Sequence, residues 1–387
     1  MNILYILRHN PWGIGGGCYA TKCYLQALTA AFPEAQFDIC LCEEYLKDCP
    51  NPNGNENVTF VKVGERSKVE KAMAPVTGLL HRFDSVARKM IGNKQYDYCI
   101  FDHNSIAGPL VGLCKELGVK SVVINHNCEY EYYRDNHSRF MRTLFLKHVR
   151  NAERKAYLGC DYNIFLTKED KNLFEHLYGH SDTRSIVTGC FDTDKGAWPQ
   201  VADGKPTASK LRLIISGTIG NVQNMDGIDF FLEELLPHVP KDAEVIIAGK
   251  NPPPELSSRI EKLNKQDSYA LVTLTPNPKD IMTIVCGCDI FVCPTRLGGG
   301  LKLRVMDGLK AGLPVIAHQV SARGYSVFKT EGILWSFENG EDFGACIHEV
   351  IKKLADGRLP KCAIQEYAAL QFSFETKTSM LKDFLTK

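Results

Sequence analysis

The sequence has almost no excess of charge of either sign, since 46 Lys and Arg residues oppose 45 Asp and Glu residues for a net charge of +1. A protein that binds nucleic acid normally carries a larger basic excess, so we expect no nucleic-acid partner. No stretch approaches the roughly 20 consecutive apolar residues that cross a bilayer. The remaining composition, 24% charged and 44% hydrophobic over 387 residues, is typical of a globular protein of about two domains.

The sequence also lacks the common metal-binding spacings, because it contains neither Cys-x-x-Cys nor His-Glu-x-x-His. His176 and His180 are four residues apart, but Gly179 weakens the helix that would align them, so we expect surface histidines and no metal site. The apolar run Ile3–Leu7 has no basic residue before it, which favours a first strand over a signal peptide. We therefore expect a cytoplasmic protein with reduced core thiols, including Cys99, Cys160, Cys286, Cys288 and Cys293.

Short apolar runs alternate with helical patterns along the chain, which predicts an α/β protein with parallel sheets. A polar segment without apolar periodicity, residues 192–210, predicts a linker between residues 1–191 and 211–370, and a final helical segment spans Ile364–Leu385. The predicted strands are Ile3–Leu7, Phe37–Cys42, Val58–Val63, Tyr98–Asp102, Ser121–Asn125, Tyr162–Leu166 and Ser185–Thr188, then Leu211–Ser216, Glu244–Ala248, Ala270–Leu274, Ile290–Cys293, Pro314–Ala317 and Ile333–Trp335.

Glycine-rich turns follow the first strand of each series and open a helix, as in sites for phosphates or sugars. In the first half this turn contains Gly15, Gly16 and Gly17. A dinucleotide fingerprint read from Gly13 fails, but one read from Gly15 ends on Ala20, so a nicotinamide site stays open as an alternative. The corresponding turn of the second half contains Gly217, Thr218 and Asn224.

Two further loops carry polar groups at the ends of predicted strands. His126 follows the fifth strand, where an imidazole can bind a hydroxyl or phosphate oxygen or simply cap the next helix. The strongest segment is residues 293–315, in which three glycines precede a helix of just over two turns. Arg296 and Lys302 flank the amino end of this helix, and such cations suit a diphosphate. Asp307, five residues further along, can accept both hydroxyls of a ribose.

Together these loops make the chain resemble a GT-B glycosyltransferase, most similar to glycosyltransferase family 4. The run Gly298–Val315 resembles the family's glycine-rich loop, helix and A-x-G-x-P-V ending, and Asp307 stands where the family has the second glutamate of its E-x7-E motif. His126-Asn127-x-Glu129 resembles the H-N-x-E of one subgroup. Two motifs of the second half also match: Asn224–Gly227 with Leu236-Pro237, and Ala248-Gly249-Lys250.

The resemblance implies two facing Rossmann-like domains with a central cleft, and a terminal helix, residues 371–387, that packs back on the N-terminal domain. It also implies retaining transfer of a sugar from a nucleotide diphosphate sugar to a glycan or lipid-linked acceptor in bacterial cell-surface polysaccharide or glycan synthesis, with no cofactor. His126, Lys302 and Arg296 are the implied catalytic residues. The implied donor-binding residues are Gly15, Gly16, Gly17, Gly217, Thr218, Asn224, Lys250, Pro278, Gly299, Gly300, Leu301, Lys302, Arg304 and Asp307.

The sequence departs from the family pattern at two places. Gly299 replaces the first acid of E-x7-E, and the usual Arg and Lys after the first strand of the second half are absent. A nucleotide-sugar-binding protein without catalysis and an epimerase therefore stay open as alternatives. Residues 139–150 mix cations with large apolar side chains, which is typical both of a peripheral membrane helix and of an amphipathic core helix. We favour the core helix.

Overall fold

The computed structural model describes residues 1–49, 56–78, 82–193, 198–201 and 210–387. It forms two units, each built around one parallel sheet. Unit 1 comprises Met1–Thr193, Gly299–Leu301 and Ser373–Lys387, and unit 2 comprises Asp194–Gly298 and Lys302–Phe372. Most of the predicted 192–210 linker, namely residues 194–197 and 202–209, lies outside the described residues.

The sheet of unit 1 has seven strands in the order β3-β2-β1-β4-β5-β6-β7, all parallel to their neighbours. Successive residues of the first strand are buried on both faces of this sheet, as expected when helices cover both sides. The strands are β1 (Asn2–Leu7), β2 (Gln36–Cys42), β3 (Val58–Val63), β4 (Tyr98–Asp102), β5 (Lys120–Asn125), β6 (Tyr162–Phe165) and β7 (Arg184–Val187).

Among the described residues of unit 1, eight helices lie between these strands, and a ninth comes from the end of the chain. They are α1 (Gly16–Ala31), α2 (Lys68–Thr77), α3 (Phe83–Asn93), α4 (Asn104–Ala107), α5 (Val111–Glu116), α6 (Glu129–Asn136), α7 (Arg139–Gly159), α8 (Lys168–Tyr178) and α16 (Phe374–Thr386), with a 3-10 turn at Glu43–Asp48. Leu381 and Leu385 of α16 are buried in the same core cluster as the α1 face of the sheet.

The sheet of unit 2 has six parallel strands in the order β10-β9-β8-β11-β12-β13. The strands are β8 (Arg212–Thr218), β9 (Glu244–Lys250), β10 (Leu271–Pro276), β11 (Ile290–Cys293), β12 (Val315–His318) and β13 (Leu334–Phe337). The helices are α9 (Val222–Phe230), α10 (Pro254–Asn264), α11 (Ile281–Cys286), α12 (Leu303–Lys310), α13 (Ser326–Thr330), α14 (Gly340–Ala355) and α15 (Lys361–Gln371), with shorter turns at Phe231–Leu235 and Leu236–His238.

All thirteen predicted strands are present, so the α/β prediction is confirmed. The predicted final helical segment consists of two helices. The first helix ends at Gln371, and Ser373 begins the second by accepting a hydrogen bond from the backbone N–H of Thr376. Residues 139–150 lie at the start of α7, where Phe140 is exposed but Met141, Leu144, Phe145 and Leu146 are half-buried. Cys286 is half-buried, whereas the other four core cysteines named above are buried. Among the described residues, no helix is long and apolar enough to cross a membrane.

Candidate functional site

The strand order of unit 1 brings the carboxyl ends of β1 and β4 side by side, with Leu7 paired to Asp102. Chain connections leave a parallel sheet in opposite directions at such a point, and open α/β sheets bind ligands there. Polar residues follow both strands: Arg8 and His9 after β1, and His103 after β4. The loop after β5 adds His126 and Glu129 at the same edge of the sheet.

Asp102 holds His126 in a buried hydrogen-bonded pair. His126 Nε2 lies 2.6 Å from Asp102 Oδ1, and the Thr21 hydroxyl donates to Asp102 Oδ2. Burial by itself would raise the pKa of Asp102, but the His126 ring and the Thr21 hydroxyl outweigh burial and hold this pKa below its usual range. His126 Nδ1 is buried and has no hydrogen-bond partner among the described residues. The pair therefore leaves one ring nitrogen available for a hydroxyl group.

A second buried group lies beside this pair. Arg8 Nη1 lies 3.1 Å from Glu129 Oε2, and His103 Nε2 lies 3.0 Å from Glu129 Oε1. Burial would raise the pKa of Glu129, but its partners His103 and Arg8 outweigh burial and hold this pKa well below its usual range, whereas burial lowers the pKa of His103 to about 4. His103 also has a φ of 141°, which is rare for a residue other than glycine and occurs most often at functional sites.

The predicted glycine turn Gly15–Gly17 packs against His9. Gly16 begins α1, and a Cβ atom on Gly17 would lie 2.9 Å from His9 Nε2, so only glycine lets the turn approach the ring this closely. The His9 ring centroid is 6.0 Å from those of His103 and His126. Burial lowers the pKa of His9 to about 3, so the ring is neutral near pH 7. Three neutral or hydrogen-bonded imidazoles therefore line this edge of unit 1.

Glu153 of α7 accepts hydrogen bonds from the backbone at Glu129. Its Oε1 accepts hydrogen bonds from the backbone N–H of Glu129 at 2.7 Å and from Asn104 Nδ2 at 2.8 Å, and its Oε2 accepts one from the Tyr178 hydroxyl at 2.6 Å. The Glu153 carboxyl therefore accepts hydrogen bonds from N–H groups at the amino end of α6 that have no partner within the helix. Burial nevertheless raises the pKa of Glu153 to about 7.

Unit 2 repeats the same topology, with the carboxyl ends of β8 and β11 as neighbours. Asn224 bridges the loops after these strands, since its Nδ2 donates to the Thr218 carbonyl at 2.8 Å and its Oδ1 accepts from the Thr295 hydroxyl at 3.3 Å. A cavity of about 20 Å³ lies here, lined by Gly217, Asn224, Thr295, Arg304 and seven neighbours. That volume holds about one water molecule.

The helix α12 presents two cations and a carboxylate near this cavity. Lys302 caps α12, and its Nζ lies 3.3 Å from Gln223 Oε1. The Arg304 guanidinium lies beside Gly217, where a Cβ atom would be 3.3 Å from Nε. Arg304 Nη1 also lies 3.6 Å from Asp307 Oδ2, and both side chains are about one-third exposed. Arg304 and Asp307 therefore share one face of α12 and are partly accessible, and Lys302 stands at the amino end of the helix.

The sequence predicts Arg296 beside the amino end of α12, and in the structure its guanidinium contacts α9. Its Nε and Nη2 donate to the two carboxylate oxygens of Asp226 at 2.9 and 3.3 Å, and its guanidinium carbon lies 4.5 Å from the Phe230 ring centroid. This bidentate pair and the aromatic contact hold the side chain against α9. Arg304, which the resemblance places among the donor-binding residues, lines the cavity.

The remaining predicted donor residues lie in loops at the carboxyl edges of their sheets. Lys250 ends β9 and is exposed, and Pro278 follows β10; the two loops are joined by a hydrogen bond from the backbone N–H of Asn251 to Asn277 Oδ1 at 2.8 Å. Gly299, Gly300 and Leu301 form the three-residue segment that groups with unit 1.

Sequence reasoning missed Arg8, His9, Asp102 and His103. Each follows or ends a predicted strand, and that position was the available signal. Their role depends on contacts between residues 24 to 121 positions apart, such as Asp102 with His126 and Arg8 with Glu129, which no local pattern reports.

Two comparisons of sequence with known proteins match part of the chain. Residues 212–353 match the family described as Glycosyl transferases group 1. An uncharacterized 44.6 kDa protein in the cps region of Klebsiella pneumoniae is 24% identical over 250 residues, which is 60% of this chain and 60% of that protein.

Two solved structures share the fold over nearly the full length. Anabaena Alr3699/HepE in complex with UDP is 13% identical, with a TM-score of 0.68 and complete coverage of both chains. Sucrose-phosphate synthase from Thermosynechococcus elongatus is 12% identical, with a TM-score of 0.70, and the match covers 99% of this chain and 98% of that one. These matches confirm the predicted α/β fold class, and the match of residues 212–353 agrees with the predicted resemblance.

Proposed function

We infer that this chain, a glycosyltransferase of the GT-B fold with a group 1 domain at residues 212–353, moves a sugar from a nucleotide diphosphate sugar to a hydroxyl acceptor. The observation that carries this proposal is that Arg304 lines the β8–β11 cavity, with Asp307 three residues further along α12 and Lys302 at the amino end of that helix. Backbone N–H groups and cations suit a diphosphate, and a carboxylate suits the two hydroxyls of a ribose.

The donor is assigned to unit 2 in three parts. Its diphosphate binds Lys302 and Arg304, with Gly217 and Thr218 on its other side. Its ribose binds Asp307, which stays about one-third exposed despite the neighbouring Arg304. Its base lies near Lys250 and Pro278. UDP is the first nucleotide to test, because Anabaena Alr3699/HepE was solved in complex with it.

The chemical step is the exchange of one bond at the anomeric carbon. The acceptor oxygen forms a bond to this carbon while the bond to the diphosphate oxygen breaks, and the acceptor proton passes to the departing diphosphate. Negative charge develops on the diphosphate, so cations fixed around it stabilise the transition state more than the bound donor. Retention of configuration and metal independence belong to this proposal.

His126 of unit 1 binds a sugar hydroxyl through its unpaired Nδ1. With Nε2 held by Asp102, the ring is fixed in orientation and offers Nδ1 to a sugar hydroxyl. A role in bacterial cell-surface polysaccharide synthesis is supported by the similarity to the Klebsiella pneumoniae protein in the cps region.

A thermal-shift panel of UDP, GDP, ADP, CMP and dTDP tests the donor site. A ligand at about 100 times its dissociation constant stabilises the fold by roughly 2.7 kcal/mol, which raises the melting temperature measurably. We expect one nucleoside diphosphate to shift the wild type but neither Asp307→Ala nor Lys302→Ala, and Lys302→Ala to lower turnover on the order of 100-fold. Equal shifts in the wild type and both variants would refute the placement.

A nucleotide-sugar-binding protein without catalysis is the second candidate, because Gly299 stands where the family has an acid and Asp307 faces Arg304. The two functions separate in one assay. A wild type that binds a nucleoside diphosphate sugar, yet releases no nucleoside diphosphate with any of a panel of hydroxyl acceptors, supports the binding protein.

A further inference from the structure

A second cavity, of about 990 Å³, lies at the amino edge of the unit 1 sheet, opposite the edge that carries the imidazoles. Lys120 begins β5, Asp161 precedes β6 and Arg184 begins β7, and all three residues line this cavity. Strand β5 separates the two edges by about 17 Å, because a strand rises ~3.3 Å per residue. The cavity is therefore distinct from the group around His126, and it is large enough for a ligand.

Five exposed cations line this cavity, and two carboxylates accompany them. Asp161 Oδ2 accepts hydrogen bonds from the backbone N–H and the hydroxyl of Ser121 at 2.7 and 2.9 Å, and Asp182 lies 3.8 Å from His180. In the part of the chain that the structure describes, none of the five cations forms an ion pair with a carboxylate. The cavity therefore has an excess of three positive charges. The cations are Lys115, Lys120, Arg154, Lys155 and Arg184.

Aromatic rings orient two of these cations. Lys120 Nζ lies 5.5 Å from the centroid of the Tyr98 ring. The guanidinium carbon of Arg184 lies 5.2 Å from the centroid of the Tyr162 ring and 5.5 Å from the centroid of the Phe384 ring. A ring attracts a cation through its quadrupole but does not neutralise the charge, as a carboxylate would. Both cations are therefore held in place and keep their charge for a ligand.

The carboxyl ends of helices explain one of the five cations. Such ends favour Lys and Arg in the last helical turn, and Lys115 holds this position in α5. The last turn of α7 has no basic residue, so Arg154 and Lys155 stand before the region where this attraction acts. Lys120 and Arg184 begin strands. Helix ends therefore leave most of the positive charge of this cavity unexplained.

The cations lie on both faces of the sheet. Lys120 is two residues before Val122, and Arg184 pairs with Tyr162, so both share the face that α1 and α16 cover. The other three cations belong to α5 and α7, which pack on the opposite face. A single phosphate or carboxylate group cannot contact both sets. The arrangement therefore fits a longer ligand that carries several separated negative charges.

The lining suits a sugar chain better than a nucleic acid. Among the described residues that line the cavity, Tyr162 is the one Tyr, Phe or Trp, and it is buried beneath Arg184. Single-stranded nucleic acids bind by stacking their bases on aromatic rings, and this lining offers no exposed ring for that purpose. The hydroxyls of Ser181 and Thr183 also line the cavity, and a hydroxyl can exchange hydrogen bonds with those of a sugar.

We propose that this cavity, the amino-edge groove, binds an acidic oligosaccharide that is the glycan to which the transferase adds a sugar. Carboxylate or phosphate groups spaced along the glycan pair with the cations on the two faces of the sheet. The chain must contain several sugars, because it has to extend from the groove to the carboxyl edge that carries His126. The inference rests on the proposed transferase function and adds the chemical class of its acceptor.

Fluorescence anisotropy with a labelled octamer of galacturonic acid tests the groove. We expect the wild type to bind the octamer, and to bind it more weakly as salt is added. Arg154→Gln/Lys155→Gln should weaken this binding about tenfold, because two charge contacts are lost. The matched control is Lys262→Gln/Lys265→Gln on α10, which removes the same charge from exposed positions outside the groove and should bind like the wild type.

A second pair of variants changes the groove at one position. Gly112 lines the cavity, and a Cβ atom there would meet nothing within 4 Å, so larger residues fit without a clash. Gly112→Glu should weaken binding of the octamer by placing a carboxylate in the groove, whereas Gly112→Ala should leave it unchanged. Melting curves without ligand verify that every variant is folded.

Two other probes test the class of the ligand. An uncharged octamer of glucose should not bind, and an octamer of glutamate should bind more weakly than that of galacturonic acid, because the flexible peptide loses more conformational entropy. If the glutamate octamer binds more tightly, and the groove variants weaken its binding, the groove takes an acidic protein segment and the glycan assignment is overturned.

The nucleotide thermal shift separates this inference from the proposed function. Arg154→Gln/Lys155→Gln should keep the shift, and Lys302→Ala should keep binding of the galacturonic acid octamer. If the wild type does not bind this octamer, or if the groove variants bind it like the wild type, the groove assignment is wrong, whatever the nucleotides do. If the octamer binds in the groove but no nucleoside diphosphate shifts the wild type, the groove binds acidic oligosaccharides and the donor placement is wrong.

Discussion

Replacing Gly308 by alanine tests how α12 is held on the sheet of unit 2. A Cβ atom at this position would lie 2.6 Å from Cγ and 2.7 Å from Cβ of Phe291, where ordinary contacts begin near 3.4 Å. Phe291 is fully buried in β11, and its Cβ atom is fixed by the backbone, so a rotamer change gives no relief. The helix must therefore move by about 0.8 Å.

Such overpacking costs about 1–3 kcal/mol, whereas Gly→Ala inside a helix gains roughly 0.5–1 kcal/mol. The net loss of about 1–2 kcal/mol should lower the melting temperature of unit 2 by about 3–6 °C. Because Asp307 precedes Gly308, the same shift should weaken nucleotide binding. Differential scanning calorimetry with and without the nucleoside diphosphate measures both effects.

The matched control is Gly92→Ala in α3, where an added Cβ meets nothing within 4 Å. This variant should keep or raise the melting temperature, because alanine restricts the unfolded chain without a clash. If Gly308→Ala is as stable as Gly92→Ala, the contact between α12 and β11 is not as tight as the structure indicates, and the reasoning fails.

Three further predictions concern buried charges and the two arginines. Burial raises the pKa of Glu153 to about 7, so this group's contribution to the free energy of unfolding is full below about pH 4.5 and falls by about 3 kcal/mol as pH rises to 7. Urea unfolding of Glu153→Gln should not show this fall. Parallel pH profiles for the wild type and the variant would contradict the prediction. Asp102→Asn should cost about 2–3 kcal/mol by the same measurement, because His126 loses its buried charged partner, and an unchanged urea midpoint argues against the pair. Arg304→Ala should abolish the nucleotide-induced thermal shift, whereas Arg296→Ala should keep most of it because the guanidinium of Arg296 is already bound to Asp226. The reverse result would show that Arg296, and not Arg304, binds the donor.

The outcome of the sequence predictions follows from how far apart the interacting residues lie. Hydrophobic runs and glycine turns are local, so the two strand series could be predicted to within about two residues at each end, and a helix could be predicted after each glycine turn. The helix break at Ser373 was also encoded locally, by a side chain that caps a helix, but the continuous apolar pattern of the segment concealed it.

The sequence by itself determined which residue types stand at the strand ends, since periodicity locates each end within a residue or two. Only the tertiary structure decided which of them work together. Arg296 pairs with an aspartate 70 positions away, and His126 depends on Asp102 on a neighbouring strand. Strand order and close packing determine which side chains become partners, and neither can be predicted from a local stretch of sequence.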